Sequence, residues 1–266
     1  MATTSAAQQQ PVRKEADAKS PLIRILENLI NMINSGVGRD KMCRIIQYTI
    51  MAFLPYMKAR GAHMNELVGR LSKLKSSMSM TRKVLRFGKE IPLITGIRNK
   101  LALHEVTPQR AIFYRVLSDL TLILYFFTDH PLYLHNVGFW KYSKKFNDNC
   151  DYINNVFWLV SSLFDIVCTV VEIQYLNKQI KKMASQLNEP SNGGKPADEQ
   201  AKQQLRGQLR EYKILLIKQW LNFWRNVIDL PAIFHFMGSK HVSATAGGLC
   251  GAVTSAISLY GIYGSW

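Results

Sequence analysis

The sequence is poor in the residues that build disulfide frameworks and metal sites. Only four of its 266 residues are cysteines, and no two of them have the C-x-x-C spacing of zinc and redox sites. We interpret them as reduced, small apolar side chains. The first 19 residues also lack the apolar stretch of a secretory signal, so we expect a chain that is made in the cytosol and stays reduced.

Patterns that carry catalysis are missing as well. His130 and His135, like His235 and His241, lack the i,i+4 spacing of a helical zinc site. The segment Gly36-Val-Gly-Arg-Asp-Lys lacks the third glycine of a phosphate loop and follows a helix rather than a strand. We interpret it as a helix-breaking turn in which the aspartate caps the next helix. We therefore predict a protein that is not an enzyme and that binds no cofactor and no metal.

Acidic side chains are scarce relative to basic ones. The chain carries 34 Lys and Arg residues but 18 Asp and Glu residues, a formal net charge of +16. The excess is concentrated between Lys58 and Arg110, which predicts a polyanionic partner. Nucleic acid is disfavoured because no RNP-type, helix-turn-helix or zinc-finger signature is present and aromatic residues do not interrupt the basic run. We predict an anionic phospholipid membrane as the partner, and no nucleic acid.

No segment alternates polar and apolar residues as a half-buried strand does, so we predict an all-α fold. The expected architecture is a membrane-associated helical bundle in five regions. These are a disordered tail over 1–20, an N-terminal helical region over 21–110, an apolar and partly membrane-embedded helical region over 111–187, a flexible linker over 188–204, and C-terminal helices over 205–266.

Residues 64–91 are predicted to form one basic amphipathic helix. Its narrow apolar stripe recurs at helical spacing and consists of Leu67, Leu71, Leu74, Met78 and Leu85. The flanking cations, expected to contact anionic lipid, are Arg70, Lys73, Lys75, Arg82, Lys83, Arg86 and Lys89. This pattern is typical of a helix that lies in a membrane interface. A core-facing helix with a solvated charged side is the alternative.

Residues 242–263 carry no charge and are long enough to span a bilayer, with Lys240 and Trp266 among the flanking anchors. Small residues recur in this segment every four positions, which allows helix backbones to approach closely in lipid. We predict a transmembrane helix with a packing seam formed by Gly247, Gly251 and Ser255 and by Gly248, Ala252 and Ala256.

The other apolar helices contain charged residues, which are expensive in lipid unless they are paired. Arg115 and Asp119 are four residues apart and can pair. One interpretation is a structural polar network whose ridges face one another, formed by Asp119, Asp165, Glu172, Arg225 and Asp229. The alternative is a water-filled path lined by the first four of these residues.

Several short segments, in this order, resemble the peroxin-11 family of peroxisomal membrane proteins. The likeness covers about residues 22–264. Its segments are Gly38-Arg-Asp-Lys, Arg44-Ile-Ile-Gln-Tyr, Arg82-Lys-Val-Leu-Arg-Phe-Gly, Tyr125-Phe-Phe-Thr-Asp-His, Trp140-Lys-Tyr-Ser, Leu230-Pro and the glycine-rich C-terminal span.

This resemblance implies an integral protein of the peroxisomal membrane with both termini in the cytosol. Family members insert the amphipathic helix into the cytosolic leaflet, self-associate as homo-oligomers and tubulate the membrane, which promotes peroxisome proliferation and fission. A dynamin-type fission GTPase and its membrane adaptor are implied as partners. On this chain the remodelling role falls on the apolar stripe of residues 64–91 and its flanking cations.

Two functions of other classes stay open at this level. The polar ridges are compatible with a metabolite or ion channel of the peroxisomal membrane. A soluble helical adaptor is weaker, because the uncharged segment 242–263 argues against it.

Overall fold

The computed structural model describes residues 20–102, 108–188 and 196–263. Within these ranges it contains helices and no strands, which confirms the all-α prediction. The α-helices are α1 (Pro21–Asn34), α2 (Gly36–Ala59), α3 (Asn65–Val84), α4 (Glu90–Ala102), α5 (Gln109–Asn136), α6 (Lys144–Asn188), α7 (Pro196–Phe236) and α8 (Ala244–Tyr263). A short 3₁₀ turn, Ala62–Met64, precedes α3.

Helices α1 and α2 are separated by a single residue, Ser35. The side chain of Ser35 accepts a hydrogen bond from the Gly38 amide at 2.8 Å and so caps the start of α2. The prediction that Asp40 caps this helix is therefore wrong. Asp40 lies inside the first turns of α2, where its carboxylate is free to bind other parts of the chain.

The predicted single helix over 64–91 is interrupted. Helix α3 ends at Val84, the chain turns over residues 85–89, and α4 begins at Glu90. Gly88 supports this turn with φ +78°, a conformation that residues with a Cβ rarely adopt. The basic residues that follow Val84 therefore leave the α3 surface and turn toward the neighbouring helices.

The helices pack in a closed ring. In order around the ring, α5 contacts α6, α6 contacts α7, α7 contacts α8, α8 contacts α2, α2 contacts α3, and α3 returns to α5. Helix α4 packs on α5, and α1 lies against α2 and α8. This arrangement brings α2 and α8, which are distant in sequence, into direct contact.

Two small apolar cores hold α2 in place. Tyr48 and Met51 pack with Ala232 of α7, and Trp158 of α6 lies against this group. A second core joins Ile50 and Leu54 of α2 to Val68 of α3. The first of these cores borders the polar cluster described below, since Tyr48 lies beside Arg82.

Three helices in the described ranges, namely α5, α6 and α8, are long and apolar enough to cross a membrane. The third coincides with the predicted span 242–263. Large apolar side chains on these helices face outward, including Phe113, Leu163 and Leu249. Outward-facing apolar surface of this extent is suited to contact with lipid.

The predicted linker over 188–204 is shorter in the structure. Helix α6 extends to Asn188 and α7 already begins at Pro196, so the C-terminal part of the predicted linker is helical. Residues 189–195 lie outside the described ranges, as do residues 1–19 of the predicted tail.

Candidate functional site

Three of the segments that carry the family resemblance meet in one group of ion pairs. We call this group the cationic cluster and define it as Asp40, Arg82, Lys83, Arg86, Lys89 and Asp129. Its residues come from α2, the end of α3, the turn over 85–89 and α5. Residues that are up to 89 positions apart therefore form a single site.

Asp40 is the acceptor on the α2 side of the cluster. Its Oδ1 lies 3.2 Å from Arg82 Nε and 3.5 Å from Arg86 Nε, and its Oδ2 lies 3.9 Å from Lys89 Nζ. Burial raises the pKa of Asp40, but the attraction of Arg86, Arg82 and the nearby lysines outweighs burial and holds this pKa well below its usual range. The carboxylate is therefore ionised at any physiological pH.

Asp129 is the acceptor on the α5 side. Its carboxylate accepts hydrogen bonds from Arg86 Nη1 at 2.8 Å and from Lys83 Nζ at 2.7 Å. Arg86 also donates to the Tyr125 hydroxyl. Since Arg86 contacts both Asp40 and Asp129, it links α2 to α5 through the turn that follows α3.

Aromatic and amide groups complete the cluster. Arg82 donates to Gln47 Oε1 at 2.7 Å, and its guanidinium lies 5.7 Å from the ring centre of Tyr48. On the other side of the turn, Phe87 stacks on His130 at 4.3 Å between ring centres. His130 in turn lies 3.0 Å from the Glu90 carboxylate. These contacts fix the turn against α5.

The cluster has four cations and two carboxylates, so it carries a net positive charge. Breaking a buried ion pair by removing one partner costs about 3–5 kcal/mol, because the other charge is left without compensation. The cluster is therefore a structural centre of the fold, and its surplus of cations makes its surroundings attractive to anions.

These positions correct part of the predicted lipid-contact set. Arg82 and Arg86 are only 7% and 9% exposed, so the prediction that they lie on an outer basic surface is wrong. Lys83 and Lys89 are half-buried and ion-paired. The physical reason is that carboxylates from α2 and α5 offer these cations stronger partners than solvent does.

The remaining cations of the predicted set lie on α3 itself. Arg70 and Lys73 are exposed, and Lys75 is half-buried. Arg70 forms a surface ion pair with Glu66 at 2.5 Å, one helical turn away. Exposed pairs of this kind contribute little to the stability of the fold, and they do not prevent the arginine from contacting another anion.

The predicted apolar stripe divides into two parts. Leu67 and Leu74 are exposed to 43% and 42%, whereas Leu71, Met78 and Leu85 are half-buried. Leu71 packs against the core formed by Ile50, Leu54 and Val68. Val68 was not part of the predicted stripe, although it is the buried anchor of α3 on α2. The stripe therefore lies at the edge of the packed face, with two leucines left outside.

The small residues of α8 form close contacts, Gly248 and Gly251 with α2 and Gly247 with Ala232 and His235 of α7. Gly247, Gly248, Gly251 and Ser255 are buried, Ala252 is half-buried, and Ala256 is exposed. A Cβ added to Gly248 would lie 2.6 Å from the Ala52 amide nitrogen, and one added to Gly251 would overlap the Tyr48 ring. These glycines therefore let α2 and α8 approach within one chain.

The predicted polar network is distributed over separate ion pairs. Arg115 binds Asp165 at 2.9 Å and Glu172 at 3.1 Å, both on α6, so its predicted pairing with Asp119 is wrong. Asp119 instead binds Lys100 of α4. A residue outside the helix thus competes successfully with the local i,i+4 partner.

The other members of the network lie on α7. Arg225 approaches Asp165 at 4.0 Å, and Asp229 accepts hydrogen bonds from Arg44 at 2.6 Å and from Thr254 at 2.5 Å. Asp229 therefore joins α7 to both α2 and α8. The polar ridges face one another across the bundle, and each carboxylate of the predicted path takes part in an ion pair.

Comparison with known proteins agrees with the architecture and the resemblance. The family model of peroxisomal biogenesis factor 11 (PEX11) matches residues 26–263. The chain is 24% identical over 245 residues to peroxisomal membrane protein PMP30A of Candida boidinii, which covers 90% of this chain and 94% of that protein. No solved structure matches the chain.

Two further relatives come from animals and plants. Over 105 residues the chain is 31% identical to peroxisomal membrane protein 11A of Homo sapiens, covering 40% of this chain and 41% of that one. Over 228 residues it is 25% identical to peroxisomal membrane protein 11-1 of Oryza sativa subsp. japonica, covering 86% and 87%. The predicted resemblance is confirmed: this chain belongs to the peroxisomal biogenesis factor 11 (PEX11) family of peroxisomal membrane proteins.

Proposed function

We propose that this protein elongates the peroxisomal membrane, and so promotes peroxisome proliferation and fission, by placing α3 in the interface of the cytosolic leaflet. The observation that carries this proposal is the pair of exposed leucines, Leu67 and Leu74, next to the exposed cations Arg70 and Lys73. The inserting unit is α3 alone, because the chain turns inward after Val84.

The physical basis is a shallow wedge held by charge. The two leucines immerse one edge of the helix at the boundary between headgroups and acyl chains, and the strength of binding scales with the apolar area that they bury and with the attraction of the cations to anionic lipid. Each cation near an anionic surface adds about 1 kcal/mol of attraction. A wedge in one leaflet expands that leaflet relative to the other, and self-association of the protein adds these effects along a tubule.

The rest of the fold supplies the anchor. Helices α5, α6 and α8 hold the protein in the bilayer, and α3 is joined to this anchor through the cationic cluster. Ser35 hydrogen-bonds to Tyr263, and α1 contacts α8, so the C-terminal end of α1 lies near the end of α8. We place both termini in the cytosol, as the family resemblance implies, so an even number of these candidate helices crosses the bilayer completely. A dynamin-type fission GTPase and its membrane adaptor are then available as partners on that side.

Tubulation of liposomes by the full-length protein tests the proposal. Vesicles of phosphatidylcholine with phosphatidylserine are imaged by electron microscopy with the wild type and with Leu67→Ser/Leu74→Ser. The variant should remain in the membrane through its other helices but form few tubules. The matched control is Leu215→Ser/Ile217→Ser on α7, whose side chains are 45% and 50% exposed.

A second pair of variants tests the charge. Arg70→Glu/Lys73→Glu should lose tubulation of anionic vesicles, whereas Arg206→Glu/Arg210→Glu, at two exposed positions of α7, should retain it. The wild-type activity should also fall as salt is raised, because attraction between exposed charges is screened over about 10 Å at 0.1 M. Normal tubulation by both α3 variants would refute the proposed role of this helix.

A further inference from the structure

A second binding feature lies inside the bundle, away from the exposed edge of α3. A partly open cavity of about 220 Å³ is lined by residues of α2, α3, the turn that follows α3, α5 and α6. Its charged lining consists of Asp40, Lys41, Arg44, Arg82, Arg86 and Lys89. The rest of its wall is formed by apolar and aromatic side chains of α5 and α6, together with Val37.

The charges that line this cavity are strongly unbalanced. Five cations face it together with a single carboxylate, that of Asp40. A smaller cavity of about 110 Å³ also borders Arg82 and Arg86, but there two carboxylates, those of Asp129 and Asp151, contribute to the wall. The surplus of positive charge is therefore concentrated on the side of Asp40.

Arg44 gives a second and independent indication. Its side chain is buried and its Nη2 binds Asp229 at 2.6 Å. Its Nε is also buried but has no hydrogen-bond partner among the described residues. An unpaired buried donor costs about 1–3 kcal/mol, more when it is charged. The guanidinium of Arg44 is therefore incompletely compensated, and an anion in the cavity that it lines would stabilise its charge.

The lowered pKa of Lys41 also favours an anion in this cavity. The pKa of Lys41 is lowered to about 7, first because of burial and then because of Arg44 and Arg225. Asp40 and Asp229 offset only part of this effect. An anion placed beside the ammonium group would stabilise its charged form and raise this pKa again.

We propose that this cavity binds a phosphate-bearing anion, whose oxygens accept hydrogen bonds from Lys41 and Lys89 and whose charge is attracted by Arg44, Arg82 and Arg86. Phosphate suits this set of donors because it offers several acceptor oxygens and up to two negative charges. The volume is several times the roughly 30 Å³ that a water molecule occupies in the liquid, so a hydrated phosphate group fits. The inference does not depend on the membrane-elongating role of α3.

Two sources share this chemistry, namely a phospholipid headgroup and a free phosphate or phosphate ester. Purified full-length protein in uncharged dodecyl maltoside micelles separates them. Isothermal titration calorimetry is performed at pH 8.5 with inorganic phosphate in one arm and with dihexanoyl phosphatidate in the other. At this pH the free protein holds Lys41 largely neutral. Binding should therefore take up about one proton, which is measured by repeating the titration in buffers of different ionisation enthalpy.

Lys41→Gln is the decisive variant, because it removes a cation that the fold itself disfavours and so should not impair folding. It should weaken binding at least tenfold and abolish the proton uptake. Lys213→Gln, an exposed lysine of α7 outside the cavity, should change neither.

Each arm of the experiment has a defined meaning. Lys41-dependent binding of both probes supports a site for phosphate groups in general, and Lys41-dependent binding of phosphatidate alone assigns the site to a lipid headgroup. The proposal is overturned if neither probe binds, or if binding of both is unchanged in Lys41→Gln.

Discussion

Replacing Asp40 by Asn removes the carboxylate that holds three cations of the cluster while keeping the shape of the side chain. Arg82, Arg86 and Lys89 then face a neutral amide in a buried site. Loss of one partner from a buried ion pair typically costs about 3–5 kcal/mol. Because Asn still accepts one hydrogen bond and Asp129 still binds Arg86, we expect the lower end of this range.

Thermal unfolding of the full-length protein in detergent micelles, followed by circular dichroism, measures this loss. For a chain of this size 1 kcal/mol corresponds to about 2–4 °C, so Asp40→Asn should lower the midpoint by about 6–12 °C. Glu66→Gln is the matched control, since it neutralises the carboxylate of an exposed ion pair, that of Glu66 with Arg70. An exposed pair contributes at most about 1 kcal/mol, so the midpoint should move by only a few degrees.

One outcome of this comparison would contradict the structural role of the cluster. If Asp40→Asn and Glu66→Gln lower the midpoint equally, the ion pairs of the cluster are as solvated as a surface pair. The assignment of this cluster as a structural centre would then be incorrect.

The α2–α8 contact and the pH dependence of stability give further predictions. Gly251→Leu should destabilise the fold by more than about 3 kcal/mol, because the added side chain has no room beside Tyr48, whereas Ala256→Leu at an exposed position should be tolerated in the same unfolding assay. In acid, the ionised Asp40 contributes free energy of unfolding that is complete above its unfolded pKa of about 4 and is lost as the pH falls toward its lower native pKa. Asp40→Asn should therefore flatten the fall of stability with pH below pH 4. In base, the pKa of Lys41 is about 7 in the native state and about 10.5 in the unfolded chain. Between these values the unfolded chain binds more protons, so the free energy of unfolding should rise with pH, and Lys41→Gln should remove that rise.

Features with a local signature were predictable from the sequence. The uncharged segment 242–263 predicts a membrane-spanning helix because length and composition alone decide that property. Its small residues predict a close helix contact, and Gly248 and Gly251 do make one. The sequence could not reveal that the partner is α2, because this contact depends on how the whole chain folds back.

The cationic cluster was misread because helical periodicity treats each segment alone. Arg82 and Arg86 are four residues apart and continue the basic pattern of α3, so they were expected on its outer surface. Gly88, in the same segment, is a local sequence signal for a break in the helix. The deciding partners, Asp40 and Asp129, lie more than 40 positions away in sequence, and a single-sequence pattern does not reveal contacts at that range.

The same limit explains why the sequence did not predict the ion-pair partners of Arg115. Its i,i+4 neighbour Asp119 was the natural partner on an isolated helix, yet α6 presents Asp165 and Glu172 on the facing surface. Two carboxylates across an interface outweigh one on the same helix, whose contribution is about 0.2–0.5 kcal/mol. Which cation meets which acid is therefore a property of the bundle.

The central claim is that the exposed edge of α3 lies in the membrane interface. Photo-crosslinking tests it most directly, with benzoylphenylalanine placed at Leu74, Ser76 or Val68 of the full-length protein in anionic proteoliposomes. Ser76 is exposed on the opposite face of α3 from Leu74. We expect the probe at position 74 to label lipid acyl chains, the probe at 76 to give far less lipid adduct, and the probe at 68 to label α2 within the protein. Lipid labelling at position 74 no greater than at position 76 would contradict the account, because the edge that carries Leu67 and Leu74 would then not be the edge that lies in the membrane.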